Sequence, residues 1–254
     1  MTRIITFISD FGDQDWFVAA VKGEILKLCK NVLLIDISHK IAPHDIRAAA
    51  FLLKSVYKNF PVGTINLAVV DPGVGSERKP VLVESEGYYF VGPDNGIFSY
   101  IYTAKSRVYK LRTKKPVSST FHARDIFGPS AARLANGVKP NELGNRLKEY
   151  VRFEFPRLRK ENRKIHGEVV YIDHFGNLIT NIPNNLKLKE FMIKNRTIAV
   201  KNSYSEAGRR EIVSVHGSIG YYEIAANMAS AQRILGAGIG TRVWSRTKAP
   251  NRKC

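Results

Sequence analysis

The chain has 254 residues, with 40 Lys and Arg against 22 Asp and Glu, a formal net charge of +18 and two cysteines. Hydrophobic residues at 44% and charged residues at 24% are ordinary globular values, which excludes a disordered, collagen-like or low-complexity chain. Cys29 and Cys254 make neither a disulfide framework nor a structural zinc site.

Residues 3–9, RIITFIS, form a short apolar run closed by Asp10-Phe11-Gly12, the pattern of a buried strand ended by a turn. Phe17, Val18, Val21, Ile25 and Leu28 then fall at helical spacing within 15–29. Residues 32–37 read as a second strand. Asp45 is placed to cap a helix running to about Tyr57, with Ala48, Phe51, Leu52 and Val56 on its inner face. Residues 64–70, TINLAVV, are a third buried strand, ended by Asp71-Pro72-Gly73. This β-α-β-α-β order predicts a three-layer α/β/α domain with a largely parallel sheet.

Shorter strands follow, PVLVES, YYFVG and RVYKL, separated by Glu86-Gly87 and by Pro93-Asp94-Asn95-Gly96. Asp125 to Asn136 reads as a helix capped by Asp125 and stopped at Gly137. The stretch 152–164, with Pro156 and a run of basic residues, has the composition of a linker. Strands are expected at 165–172, 197–201, 211–215, 220–225 and 241–245, interrupted by one short helix at about 227–235. The predicted organisation is an α/β domain over 1–155, a basic linker at 156–164, and a smaller mainly-β, barrel-like domain over 165–254.

The basic surplus is denser in the second part, with 21 basic against 14 acidic residues in 1–150 and 19 against 8 in 151–254. It concentrates in Arg157-Leu158-Arg159-Lys160 with Arg163-Lys164, in Lys110 to Lys115, and in the tail from Arg242 to Lys253. These runs lack interleaved aromatics and an RNP-like motif, so solvated surface is preferred over a nucleic-acid partner. The opening MTRIITFISDFG has no signal-peptide pattern, and no window approaches 18 uninterrupted apolar residues. A cytoplasmic protein without a membrane partner is expected.

In open α/β sheets ligands bind beyond the carboxyl ends of the strands. Two such ends carry an aspartate before a glycine turn, Asp10 and Asp71, although turn chemistry alone also favours Asp and Gly there. In Asp71-Pro72-Gly73-Val74-Gly75-Ser76-Glu77-Arg78 the flexible residues between acid and guanidinium let the loop fold back and pair them. Such a pair holds the carboxylate ionised, the form that accepts a proton or orients water. His122, in Phe121-His122-Ala123-Arg124-Asp125, is placed before a helix where it can reach a cleft. Asp173-His174-Phe175-Gly176-Asn177 ends a strand and joins the next through Thr180-Asn181. An aspartate, a ring and an asparagine there can bind an ammonium, stack on a base and read its edge.

Gly236-Ala237-Gly238-Ile239-Gly240 follows a helix and leads into a strand, the wrong context for a dinucleotide loop. No GxxxxGK[ST], HExxH or GxSxG is present, and six scattered histidines give no metal site. Trp16 and Trp244 read as packing or pocket-wall residues.

In order and spacing, these segments resemble one family, the S-adenosylmethionine hydrolases that form adenosine and methionine. These are also called SAM hydroxide adenosyltransferases and are relatives of fluorinases and chlorinases. The matching segments are Ser9-Asp10-Phe11-Gly12; Asp36-Ile37-Ser38-His39 with Pro43 and Asp45; Val70 to Gly75; Gly92 to Gly96; Phe121-His122 with Arg124-Asp125; Asp173 to Asn177 with Thr180-Asn181; and Gly217-Ser218 through Glu223-Ile224-Ala225 and Asn227. The resemblance implies a homotrimer, with substrate between the first domain of one subunit and the second of its neighbour. It implies that Asp71, Arg78 and His122 position and activate water or hydroxide. It carries Asp10 over to the ribose hydroxyls, and Asn177 with the backbone near Ala226 to the adenine. Asp15, Asp173, Ser218 and Glu223 are candidates for the methionine end or the adjoining wall, and the rings of Phe17 and Phe175 belong to the same substrate-binding set. His44 stands where the family usually has an aromatic residue near the adenine.

The implied reaction is attack at C5′ of the ribose, expelling methionine from a sulfonium as a neutral leaving group. It needs no general acid, no metal and no cofactor, with S-adenosylmethionine as the substrate. Two alternatives stand beside hydrolysis: halide attack at the same carbon, and binding of S-adenosylmethionine or adenosine without turnover. A bare halide needs no base and is repelled by a carboxylate beside its path, so Asp71 and His122 favour water.

Overall fold

The structure is a computed structural model, and it describes residues 3–113 and 117–247. Two units divide the chain, Met1–Glu154 and Phe155–Cys254. Lys114, Lys115 and the stretch from Lys248 to Cys254, which hold part of the basic runs and the second cysteine, lie outside the described residues.

The first unit runs β1 (Arg3–Ser9), α1 (Phe17–Leu28), β2 (Val32–Ser38), α2 (Ile46–Val56), β3 (Ile65–Val69), β4 (Pro80–Ser85), β5 (Tyr88–Pro93), β6 (Arg107–Leu111), α3 (Gly128–Ala135), the single turn α4 (Pro140–Leu143) and β7 (Gly144–Leu147). Its seven strands form one sheet in the order β2-β1-β3-β5-β4-β6-β7. Strands β2, β1, β3 and β5 are parallel, and β4, β6 and β7 add three antiparallel pairings. The sheet is therefore mixed. Glu86 and Gly87, at φ 50° and 84°, close β4 onto β5 as a two-residue hairpin, and a turn that short joins only antiparallel strands.

Alternation along the central strands builds the layers. Ile5 and Phe7 of β1, with Ile65, Leu67 and Val69 of β3, pack with Val21 and Ile25 of α1 and Ala131 and Ala132 of α3. Ile8, Ala68 and Val70 face the other way, toward Ala49 and Leu53 of α2. Asp45 caps α2 as expected, accepting from Ala48 N at 2.8 Å. The phase of that helix differs from expectation: Ala49, Ala50, Phe51 and Leu53 are buried, while Ala48 and Leu52 are half-buried. On α1, Leu28 is exposed and Cys29 takes the buried position.

The helix expected from Asp125 begins differently. A π-helical turn over Ala123–Phe127 precedes α3, which ends before Gly137 at φ 87°. Asp125 does not cap it. Its carboxylate accepts from Ser118 N at 2.9 Å and from Arg124, so it ties down the loop before the turn instead.

The second unit runs β8 (Arg159–Glu161), β9 (Lys164–Ile172), β10 (Leu178–Pro183), β11 (Glu190–Ile193), β12 (Arg196–Ala199), β13 (Ile212–His216), β14 (Tyr221–Ala226), α5 (Ala231–Leu235) and β15 (Arg242–Arg246). The order β12-β11-β15-β9-β10-β14-β13, antiparallel throughout, nearly closes into a barrel. A bridge from Val200 to Ser214, with Lys201 N donating to Ser214 O at 2.9 Å, draws the two ends together. Phe191, Tyr222, Ile224 and Val243 fill the interior. Part of the basic stretch is ordered: β8 pairs with β9 through Asn162 and Arg163, at φ 44° and 62°, a two-residue hairpin turn. Gly236, at φ 57°, closes α5 and leads toward β15. Among the described residues no helix is long and apolar enough to cross a membrane.

Candidate active site

The parallel strands β1 and β3 end side by side, and the residues that follow them, Asp10 and Asp71, line a cleft of about 300 Å3. Phe11, Phe17, Pro43, His44, Val69, Val74, Thr120, Phe121, His122 and Ala123 complete its wall. Strand ends thus deliver two carboxylates to one place, as the sheet topology requires.

The loop after Asp71 folds back as expected. Arg78 Nε donates to Asp71 Oδ1 and Oδ2, each at 2.9 Å, and Nη2 donates to Oδ2. Glycine makes the approach possible: Gly75 sits at φ 80°, and a Cβ there would lie 2.3 Å from Ser119 O. That contact also brings the loop against the segment leading to His122. The Asp71 and Arg78 side chains are only 6% and 9% exposed, so the pair is shielded from the screening that weakens surface ion pairs.

Arg78 Nη2 also lies 2.6 Å from His122 Nδ1. A guanidinium only donates, so Nδ1 accepts and the imidazole proton sits on Nε2. Burial, and then the Arg78 charge, hold the His122 pKa below the ordinary histidine value, against the opposing pull of Asp71 and Asp125. His122 is therefore a neutral ring with a fixed tautomer. The third nitrogen of Arg78, Nη1, is buried without a hydrogen-bond partner among the described residues, while the guanidinium carbon sits 5.1 Å from the Phe127 ring centroid.

On the opposite wall Asp10 Oδ2 accepts from His44 N at 3.0 Å. His44 itself has φ 69°, a left-handed conformation uncommon outside glycine. Phe17 packs with Phe11 and Phe121, at centroid distances of 5.7 and 5.4 Å, to form an aromatic floor. Asp15 does not join them: it is exposed in the loop before α1 and lines no part of this cleft. Trp16 is 65% exposed and stacks on Phe17 instead of lining the cleft. Trp244 lies on β15, half-buried, with Lys164 Nζ 4.6 Å from its ring.

The remaining candidates gather in the second unit, around a pocket of about 800 Å3 lined by Asp173, Phe175, Asn177, Ser218, Glu223 and Ala226 together with Tyr204, Met228 and Arg233. Asp173 is largely spent on its own turn. Its Oδ1 accepts from Phe175 N and Asn177 N, and its Oδ2 from Asn177 Nδ2 at 2.8 Å. That turn lifts Phe175 to 74% exposure, and it uses the Asn177 side-chain amide nitrogen as a donor. Burial pushes the Glu223 carboxyl above the usual range, with Asp173 adding to it, against the lowering effect of the hydrogen bond from Tyr204 Oη at 2.8 Å. Thr180 and Asn181 are structural: the first donates to Tyr222 O, and the second accepts from Glu168 N and donates to Pro156 O.

The sequence reading did not single out Phe11, Thr120, Phe121, Tyr204 or Met228. Only Phe11 and Phe121 carried a signal, as aromatic neighbours of Asp10 and His122. Among the described residues no group of three or more His, Cys, Asp and Glu side chains is arranged to hold a metal ion.

A strand-end cleft thus holds a carboxylate, a guanidinium and an imidazole in one hydrogen-bonded trio. Family comparison narrows the class. The N-terminal domain of the SAM hydroxide adenosyltransferases matches residues 5–144, and the C-terminal domain of that family matches residues 167–244. The chain belongs to this family. It is 34% identical over 254 residues to a protein of Thermus thermophilus named (R)-S-adenosyl-L-methionine hydrolase, covering 95% of this chain and 98% of the relative. A more distant relative, named Fluorinase, from Actinoplanes sp., is 29% identical over 70% of this chain and 71% of its own. The crystal structure of an uncharacterized conserved protein from Thermotoga maritima superposes with a TM-score of 0.87 at 30% identity, over 95% of this chain and 99% of that one.

Proposed function

We propose that the protein hydrolyses S-adenosyl-L-methionine to adenosine and L-methionine by attack of water or hydroxide at C5′ of the ribose. The observation that carries this reading is Arg78 bridging Asp71 and His122 at the wall of the first-unit cleft. Methionine leaves a sulfonium as a neutral molecule, so no acid is needed at the leaving group and no metal or cofactor is invoked. The barrier lies in the nucleophile, because bulk water has a pKa of about 15.7.

The trio supplies what water lacks. Asp71 accepts the proton of the attacking water. His122 cannot serve as base through Nδ1, which is taken by Arg78, and its Nε2–H instead donates to the water and aims a lone pair at C5′. A halide needs neither service, and the Asp71 carboxylate opposes an anion in the same position. Asp10 is assigned to the ribose hydroxyls, and Phe17 to the wall beside them. Phe175 and Asn177, with the Ala226 backbone, are assigned to the adenine, and Ser218 and Glu223 to the methionine end. We further propose a cytoplasmic homotrimer in which the cleft of one subunit is completed by the pocket of a neighbour's second unit. The Thermus relative's name specifies an R form of the substrate, and we extend that preference to this chain.

The test is direct. Purified protein incubated with each sulfonium epimer should release adenosine and methionine, followed by chromatography, with faster turnover of the R form. Formation of 5′-halo-adenosine on adding chloride or fluoride would replace water by halide as the nucleophile. Binding without product over hours would reduce the protein to a receptor.

A further inference from the structure

Behind the cleft, a polar chain runs from the surface of α1 to the backbone that carries Asp10. Lys22 Nζ lies 2.5 Å from Asp36 Oδ2 at the end of β2. Asp36 Oδ1 lies 3.0 Å from His39 Nε2, though the N–H points off the line to that oxygen, so the contact is chiefly electrostatic. His39 Nδ1 is 2.7 Å from Ser9 Oγ, which also accepts from Phe11 N at 3.3 Å. His39 O accepts from Gly12 N at 2.8 Å. The segments 9–12 and 36–39 are thus stitched together twice, on either side of Asp10.

The chemistry fixes the direction of each bond. Facing a carboxylate, Nε2 carries the ring proton, which leaves Nδ1 to accept from the Ser9 hydroxyl. Burial alone would raise the Asp36 carboxyl, but the hydrogen bond from Lys22 and the nearby His39 ring outweigh it and hold the group below the usual carboxylate range. Ser9, His39 and Asp36 are the residue types of a hydrolase triad, yet Ser9 is fully buried and reaches no substrate. The His39 ring is also set edge-on against Phe7, with centroids 4.7 Å apart, inside the core.

We propose that His39, acting through Ser9, is a positioning residue for Asp10, and that it sets how strongly the cleft holds a ribose diol. Asp10 receives one further restraint, the His44 amide on Oδ2. With the loop locked from behind by His39 and from the front by His44, the carboxylate is presented without rotational loss when the hydroxyls arrive. This rests on the assignment of Asp10 to the ribose under the proposed function.

Equilibrium binding tests it, using adenosine and 2′,3′-dideoxyadenosine as probes with the wild type, His39→Phe, Ser9→Ala, Asp10→Ala and the Asp10→Ala/His39→Phe double variant. His39→Phe keeps the packing on Phe7 and removes both polar links. Ser9→Ala carries the test if His39→Phe melts early. Loss of one such hydrogen-bonded restraint should weaken adenosine about 5- to 10-fold. Dideoxyadenosine binding should not change, and His39→Phe should add nothing once Asp10 is alanine. Equal weakening of both nucleosides, or of neither, overturns the positioning role. If Asp10→Ala fails to discriminate the two nucleosides, the ribose assignment falls and takes the proposal with it.

Discussion

The cleft of the first unit and the pocket of the second are built on opposite principles. In the first, the charged groups are tied to one another and nearly buried, and the space they enclose is small. In the second, the space is more than twice as large and its prominent groups, Phe175 at 74% and Met228 at 82% exposure, stand in solvent. Its carboxylates are either folded into a turn, as Asp173 is, or buried under a tyrosine, as Glu223 is. Fixed geometry suits a step whose rate depends on the orientation of one small molecule. An open, ring-bearing surface suits recognition of a flat base. The contrast implies that substitutions in the Asp71, Arg78 and His122 trio act on kcat and those in the second unit's pocket on KM.

The largest expected effect is at Asp71. Removing the proposed proton acceptor in Asp71→Ala should cut kcat by about 10²- to 10⁴-fold with KM little changed, measured by steady-state adenosine release. A KM effect of similar size would erase the division between the two regions. Next in size is the state of His122. Arg78→Met removes the second-ranked cause of its lowered pKa and leaves Asp71 pulling upward, so the His122 ring should titrate at higher pH in the variant by NMR. In the wild type the lowered pKa keeps the ring neutral further into the acid range than an ordinary histidine. Activity should therefore fall on the acid side only there, once protonation has placed a second cation against Arg78.

In the second unit, Phe175→Ala should raise KM by roughly 5- to 100-fold through loss of base stacking while leaving the melting temperature unchanged, since the ring packs on little. A drop in kcat instead would move Phe175 into the reactive region. The smallest effect is on stability. The Glu223 carboxyl is raised in the folded state, so the fold disfavours its charged form, and that cost grows as pH rises through the shifted value. Glu223→Gln keeps an acceptor for Tyr204 and should raise the melting temperature by a few degrees at pH 8. At pH 5 the gain should shrink.

Much of the first region was legible because its determinants are local. Apolar runs ending in Asp-x-Gly mark β1 and β3, Asp45 marks its helix, and the glycines between Asp71 and Arg78 permit the observed fork. What the sequence left open depended on distant partners. Nothing near Ser9 announces His39, thirty residues away, and nothing near His122 says that Arg78 fixes its tautomer. The phase of α2 depends on which side of the sheet it meets, not on its own periodicity. Strands β7, β8 and β11, of four, three and four residues, are too short for period-two alternation to register. Asp15, which the family resemblance places with the ligand groups, is exposed in the loop before α1.

The shared guanidinium of Arg78 has an evolutionary consequence. Because Asp71 and Arg78 form a nearly buried ion pair, neither can be exchanged alone without stranding a charge, at a cost of several kcal/mol, whereas the neutral His122 carries no such constraint. A lineage that trades water for a halide must cross that barrier in near-simultaneous steps or with a compensating change already in place. The Asp71–Arg78 pair is thus expected to change as a unit, with both residues replaced together.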